Sequence, residues 1–153
     1  MFSETDHKHM AAAMEEAKSA AERGEVPIGA VLVDARTGEM VCGAGNATIL
    51  LSDPTAHAEI RTIREQCARV NSQRIPEYDL YVTLEPCAMC AGAIAFARIR
   101  RLVFAAADPK GGGVLHGGKF FEQPTCHHKI IVEHGLMAEE AGKLLRDFFA
   151  ARR

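Results

Sequence analysis

Two short segments constrain this chain most tightly: Thr55-Ala56-His57-Ala58-Glu59, and Thr83-Leu84-Glu85-Pro86-Cys87-Ala88-Met89-Cys90. The second reads as a strand running into a helix that opens at Cys87. A spacing of three places the Cys87 and Cys90 sulfurs on one face of that helix's first turn. His57 opens another helical run, so two helix N-termini could converge on one point. Two soft thiolates and one imidazole suit a zinc ion. Three protein ligands leave the fourth tetrahedral position to water, the arrangement of a catalytic ion and not a structural one.

Glu59 points to the chemistry. The order His-x-Glu, then Pro-Cys-x-x-Cys, is the signature of zinc nucleobase deaminases, in which the Glu moves protons and does not bind the metal. Here it reads His57-Ala58-Glu59 and Pro86-Cys87-Ala88-Met89-Cys90, with no departure. A lone Cys-x-x-Cys or a lone His would carry little weight; the combination carries much more. The expectation is that zinc on His57, Cys87 and Cys90 lowers the pKa of a water molecule. Glu59 then takes the proton and returns protons to the ring nitrogen and the leaving amine.

The bulk properties bound the setting. A length of 153 residues suits one domain, 1–153, with a single buried core. With 48% hydrophobic and 25% charged residues, the chain has the composition of a soluble globular protein. Its start does not read as a secretory signal, and its longest weakly polar run, 88–97, is too short for a bilayer. The expected location is cytoplasmic, with no membrane partner. Five cysteines, two of them in the motif, argue against a disulfide framework. Cys42 and Cys67 are expected in packing, while the role of Cys126, followed by His127 and His128, stays open.

A net charge of −2 and a pI near 6.4 do not mark a general nucleic-acid binder. Any RNA contact therefore needs a local basic patch. Candidates are Arg98, Lys110, Lys119, Lys129, Arg152 and Arg153. Each singly reads equally as a solvated charge, and the terminal pair as a solubilising tail.

Along the chain, Asp6 is the expected cap of a first helix whose stripe is Met10, Ala13, Met14, Ala17 and Ala21. Strands are predicted at 26–33 and 40–46, joined by the turn residues 34–38. Asn46 then reads as a strand-terminating turn residue. Asp53 or Thr55 is the expected cap of a helix over 56–71. A strand at 79–84, a helix at 87–98, strands at 101–106 and 130–133, and a helix at 138–152 complete the pattern. The 101–106 strand should lie parallel to 79–84. These elements predict a three-layer α/β/α domain around a five-stranded mixed sheet.

Several blocks reach beyond the metal signature. The runs 26–33, 53–59 and 80–87, with Arg98-Ile99, Asp108-Pro109-Lys110 and the ending Phe148-Phe149 with Arg152-Arg153, resemble the bacterial tRNA-specific adenosine deaminases. That family has the cytidine deaminase-like fold. The resemblance implies deamination of adenosine to inosine at the first anticodon position of a tRNA anticodon stem-loop, by a homodimer with one zinc ion per subunit. It gives Asn46 the role of hydrogen-bonding the flipped-out base. It also places Ala58, Pro86, Asp108 and Lys110 among the substrate contacts, with Arg152 and Arg153 toward the RNA. The glycine loop after Asp108 and the Cys126-His127-His128 run depart from the family pattern.

Two rivals remain at this point. A deaminase of free guanine, cytosine or cytidine would use the same zinc machinery, and the near-neutral charge suits it. A structural zinc module would need a fourth protein ligand, which His116, Cys126, His127 or His128 could supply.

Overall fold

The computed structural model describes residues 1–153. In chain order it contains α1 (Glu4–Glu22), β1 (Gly29–Asp34), β2 (Glu39–Gly45), α2 (Ala58–Val70), β3 (Tyr78–Leu84), α3 (Ala88–Ala97) and β4 (Arg101–Ala106). A short 3-10 turn (Phe120–Glu122), β5 (Ile131–His134) and α4 (Ala138–Ala150) follow. The five strands form one sheet in the order β2-β1-β3-β4-β5. β1 runs antiparallel to both β2 and β3, whereas β3, β4 and β5 are parallel. The expected mixed sheet and its parallel 79–84/101–106 pair are therefore present.

Both faces of the sheet are covered, and the period of two along each strand sorts side chains between them. Ala30, Leu32, Leu80, Val82, Leu102 and Phe104 pack on the side of α2 and α3, with Ala58, Ile63, Ala91 and Ile94. Val31, Val33, Tyr81, Val103 and Ala105 pack on the other side against Met10, Ala13 and Met14 of α1 and Ala141 of α4. All six residues of β1 are buried. This explains why residues 29–33 form a continuous apolar run with no alternation. α1 lies so close to β1 that a Cβ on Gly29 would stand 2.1 Å from the Ala13 carbonyl oxygen and 2.5 Å from the Ala17 nitrogen. Only glycine fits there.

Several boundaries differ from expectation for local reasons. Ser3, not Asp6, caps α1: the Asp6 amide donates to Ser3 Oγ at 3.0 Å, and the Ser3 amide donates to Asp6 Oδ2 at 3.0 Å. Asp6 thus closes a capping box from the third helical position. The inward stripe ends on Ala20 and not on Ala21. β1 begins at Gly29 because Pro27 has no N–H and the Ile28 amide donates to the Val26 carbonyl. α2 begins at Ala58, and neither Asp53 nor Thr55 caps it; Asp53 Oδ1 accepts instead from the Thr55 amide and hydroxyl, closing a separate turn. Cys42 is buried as expected, while Cys67 is half-buried.

The strand directions gather the loops that matter. Register pairs Gly29 with Gly45, and Leu84 with Ala106. The carboxyl ends of β2, β3 and β4 therefore lie along one edge, where ligands of open α/β sheets collect. Asn46, Cys87 and Asp108 follow those three ends by one, three and two residues.

Candidate metal centre and active site

Each metal-ligating turn is built where a helix starts. His57 is the N-cap of α2 (φ −71°, ψ 155°) and Cys87 the N-cap of α3 (φ −72°, ψ 175°). Neither side chain makes a cap hydrogen bond. Extended backbone at this position turns the side chain away from the helix axis, and here both point toward each other. Cys90 enters from the first turn of α3 and is fully buried.

His57 Nδ1 stands 3.7 Å from Cys87 Sγ and 3.5 Å from Cys90 Sγ. A tetrahedral zinc with ordinary Zn–N and Zn–S lengths separates such ligand atoms by about 3.6 Å. The donor set and its spacing therefore fit the ion. The His57, Cys87 and Cys90 ligand atoms all lie within 4.8 Å of one another, and no fourth side chain joins them.

The electrostatics agree. The Cys90 thiol donates toward the Cys87 sulfur, lowering the Cys87 pKa to about 5 against the opposing effect of burial; the first-turn amides of Cys90 and Met89 add to the lowering. Cys90 is pushed up correspondingly, first by that same bond and then by burial. A dication within bonding reach of both sulfurs displaces the remaining proton. Two helix N-termini bring partial positive charge to the same point.

Glu59, in the first turn of α2, is 4% exposed and sits beside the cluster without belonging to it. Burial pushes its carboxyl up to about 7; its own backbone amide opposes the rise, and the nearby Cys87 sulfur adds to it. A bound cation pulls the value back down. This is the environment of a carboxyl group that can both take and return a proton near neutral pH.

Residues 3–106 match the family described as the cytidine and deoxycytidylate deaminase zinc-binding region. The tRNA-specific adenosine deaminase of Agrobacterium fabrum is 56% identical over 144 residues, covering 94% of this chain and 93% of the relative. The chain belongs to the tRNA-specific adenosine deaminase family. The Haemophilus influenzae member is 46% identical over 152 residues, covering 99% of this chain and 87% of the relative. A solved structure from work on A-to-I editing by tRNA:A34 deaminases superposes with a TM-score of 0.87 at 55% identity, covering 90% of this chain and 99% of the other. The Nitrosomonas europaea guanine deaminase, at 21% identity and a TM-score of 0.80, covering 98% and 86%, shares the fold. The chain is a zinc-dependent deaminase, and its His57, Cys87 and Cys90 cluster is positioned to bind a metal.

The remaining family positions distribute unevenly around this centre. Asn46 is buried just beyond β2; its amide donates to the Ile28 carbonyl and its carbonyl accepts from Arg23, leaving the side-chain amide as its remaining hydrogen-bonding group. Ala58 is fully buried as the first residue of α2. Pro86, also buried, accepts from the Gly113 amide through its carbonyl. Asp108 and Lys110 face a cavity of about 510 Å³ that Ile28, Leu84, Phe149 and Arg153 also line.

The terminal arginines separate. Arg153 joins that cavity, while Arg152 lies 3.4 Å from the Phe148 ring centroid and donates to the Phe148 carbonyl. Arg98 caps the far end of α3, about 15 Å of helix from Cys87. His128 Nε2 meets the Ile99 carbonyl at that far end, and Cys126 Sγ donates to the His128 carbonyl. His116 is engaged with Glu85. With Cys126, His127, His128 and His116 all outside the ligand group, the closed structural zinc module is ruled out.

Sequence reasoning missed one residue. Glu85 is 2% exposed and accepts hydrogen bonds from the amides of Asp108, Val114, Leu115 and His116 and from the His116 ring. Burial opposes its charge, yet these donors hold its carboxyl below the ordinary value. An acidic residue closing an apolar strand was the available signal. Nothing in the sequence named its partners.

Proposed function

We propose that this enzyme converts adenosine to inosine at the first anticodon position of tRNA, acting as one domain over 1–153. The observation that carries the catalytic part is a carboxyl group, Glu59, buried beside a three-ligand metal cluster and outside its ligand set. The tRNA-specific adenosine deaminases at 46% and 56% identity support tRNA adenosine as the substrate.

In this reading His57, Cys87 and Cys90 hold the zinc. When bound, the metal is a Lewis acid that makes water nucleophilic near neutral pH. Glu59 accepts the proton that the water gives up as its oxygen bonds to C6 of the purine. Glu59 passes that proton to ring nitrogen N1, then takes the second proton from the new C6 hydroxyl group and gives it to the amine as the C6–N bond breaks. Adenosine and water thus become inosine and ammonia. The same reading gives the Asn46 side-chain amide the task of orienting the base, with Ala58 and Pro86 as walls beside it. Asp108, Lys110 and Arg153 supply polar and cationic groups for the flanking RNA, with Arg152 held back against Phe148.

The reading includes a homodimer and a cytoplasmic location, where its tRNA substrate is found. Phe96 on α3 is 75% exposed, and Met89, Ile49, Leu50 and Leu51 are also exposed. A second copy would cover such side chains, and sedimentation at micromolar concentration checks this. No helix is long and apolar enough to cross a membrane.

The deciding experiment offers an anticodon stem-loop with adenosine at its first anticodon position, beside free guanine and cytidine. Inosine from the stem-loop alone is the expected result. Turnover of a free base alone would discard the RNA substrate while keeping the zinc chemistry.

A further inference from the structure

Glu85 lies two residues before Cys87 and takes no part in the ligand group, yet its carboxylate is the most heavily used acceptor near the site. Oε1 accepts from the Asp108 amide at 3.0 Å and from His116 Nδ1 at 2.8 Å. Oε2 accepts from the amides of Val114, Leu115 and His116 at 3.1, 2.9 and 3.1 Å. These donors come from Asp108 and from residues 114–116, so one side chain closes that stretch of the loop after β4. The fit is tight: a Cβ on Gly112 would stand 2.2 Å from Oε2. The Gly113 amide adds a bond to the Pro86 carbonyl, tying the same loop to the turn that presents Cys87.

The orientation of Asp108 follows from this. Its amide faces inward to Glu85, while its carboxylate accepts from the Lys110 and Gly111 amides. Asp108 and Lys110 therefore sit on a segment pinned at its base.

We infer that Glu85 is a positioning residue that sets the Asp108–Lys110 segment at a fixed height above the metal turn, so that the loop meets its RNA in one conformation. The inference rests on the reading of Asp108 and Lys110 as substrate contacts. A carboxylate suits the task chemically. It offers acceptor sites on both oxygens and no donor, which matches a ring of N–H groups. Glutamine keeps one oxygen for the three amides of 114–116 but turns an NH2 group toward the Asp108 amide. His116 can meet that NH2 by changing tautomer; the Asp108 amide cannot.

Glu85→Gln should therefore loosen the Asp108 end selectively. Hydrogen exchange at the Asp108 amide should quicken at least about tenfold, with the amides of α3 unaffected. Zinc should remain at one ion per chain. KM for the stem-loop should rise roughly tenfold, the usual scale for a lost hydrogen bond to a charged group, with kcat changed less than about threefold. Gly112→Ala crowds the same carboxylate, and also the Asp108 carbonyl at 2.6 Å, and should loosen the same end of the loop. In an Asp108→Ala/Lys110→Ala background, Glu85→Gln should add no further loss, because its effect passes through those residues.

Unchanged exchange at Asp108 in both variants would overturn the anchoring role. A loosened loop with an unmoved KM would overturn its bearing on substrate. Failure of the wild-type enzyme on the stem-loop would instead sink the functional reading, and the exchange data would still decide the anchor.

Discussion

The two helical layers on this sheet begin their helices in opposite ways. On one side, α1 starts with a complete capping box, Ser3 with Asp6, which closes the helix end. On the other, α2 and α3 start with His57 and Cys87, neither of which caps its own helix. Those two positions instead carry side chains of the proposed metal cluster, and the uncapped N-termini are turned on one point. The α1 side adds a buried ion cluster in which Asp6 accepts from Tyr81 Oη and Arg101, while Arg101 also pairs with Glu133. The comparison shows a division of labour: one layer uses its polar groups to hold elements together, and the other uses them for chemistry.

Substitutions on the two sides should therefore separate activity from stability. The largest effect is expected from Glu59→Ala. Turnover should fall by about a hundredfold or more, the scale of a lost general acid/base. Zinc content should stay at one per chain and Tm should not fall, since a buried carboxyl group is being removed. Retention of more than about a tenth of the wild-type rate would break the division at its most important residue.

Next in size, and purely on stability, is Gly29→Ala. The added methyl group runs into the backbone of α1, so unfolding free energy should drop by about 3 kcal/mol. Activity per folded molecule should be kept at low temperature. A denaturation curve with active-site titration checks both.

Asp6→Asn should cost about 2 kcal/mol by weakening the bonds to Arg101 and Tyr81. It also carries a pH signature. Arg101, with help from Tyr81 and the Ser3 amide, outweighs burial and holds the Asp6 carboxyl well below the ordinary range. Its contribution is complete above its unfolded value, about pH 4, and is lost as pH falls toward the folded value. Tm of the wild type should fall below about pH 4 more steeply than that of Asp6→Asn. Parallel curves would place the acid sensitivity elsewhere. The smallest effect is expected from Ser3→Ala, about 1 kcal/mol of stability with no change in kcat.

Legibility in the sequence followed the range of the interaction concerned. The strand at 101–106 has the predicted bounds, and β3 begins one residue early, because continuous apolar runs with short polar breaks leave little freedom. The helix starts were less legible. Ser3, Asp6, Asp53 and Thr55 are all competent caps, and the choice among them depended on what else each could bond. The basic candidates were the least legible. Arg98, Arg152 and Arg153 are alike as residues, yet Arg153 lines the cavity beside Asp108, Arg152 stacks on Phe148 and Arg98 sits at the far end of α3.

By itself, the chain of residues pointed to zinc, to the His57, Cys87 and Cys90 cluster that the fold brings together, and to the buried Glu59 beside it. Their chemistry is carried by the side chains, and their spacing is set by short-range helix geometry. It also determined the layers, through apolar periodicity. Tertiary structure alone decided that no fourth side chain joins His57, Cys87 and Cys90, and that Glu85 gathers its donors from the loop after β4. Those outcomes depend on where strand ends and loops meet in space, and a buried carboxylate accepts whichever amides the fold delivers to it.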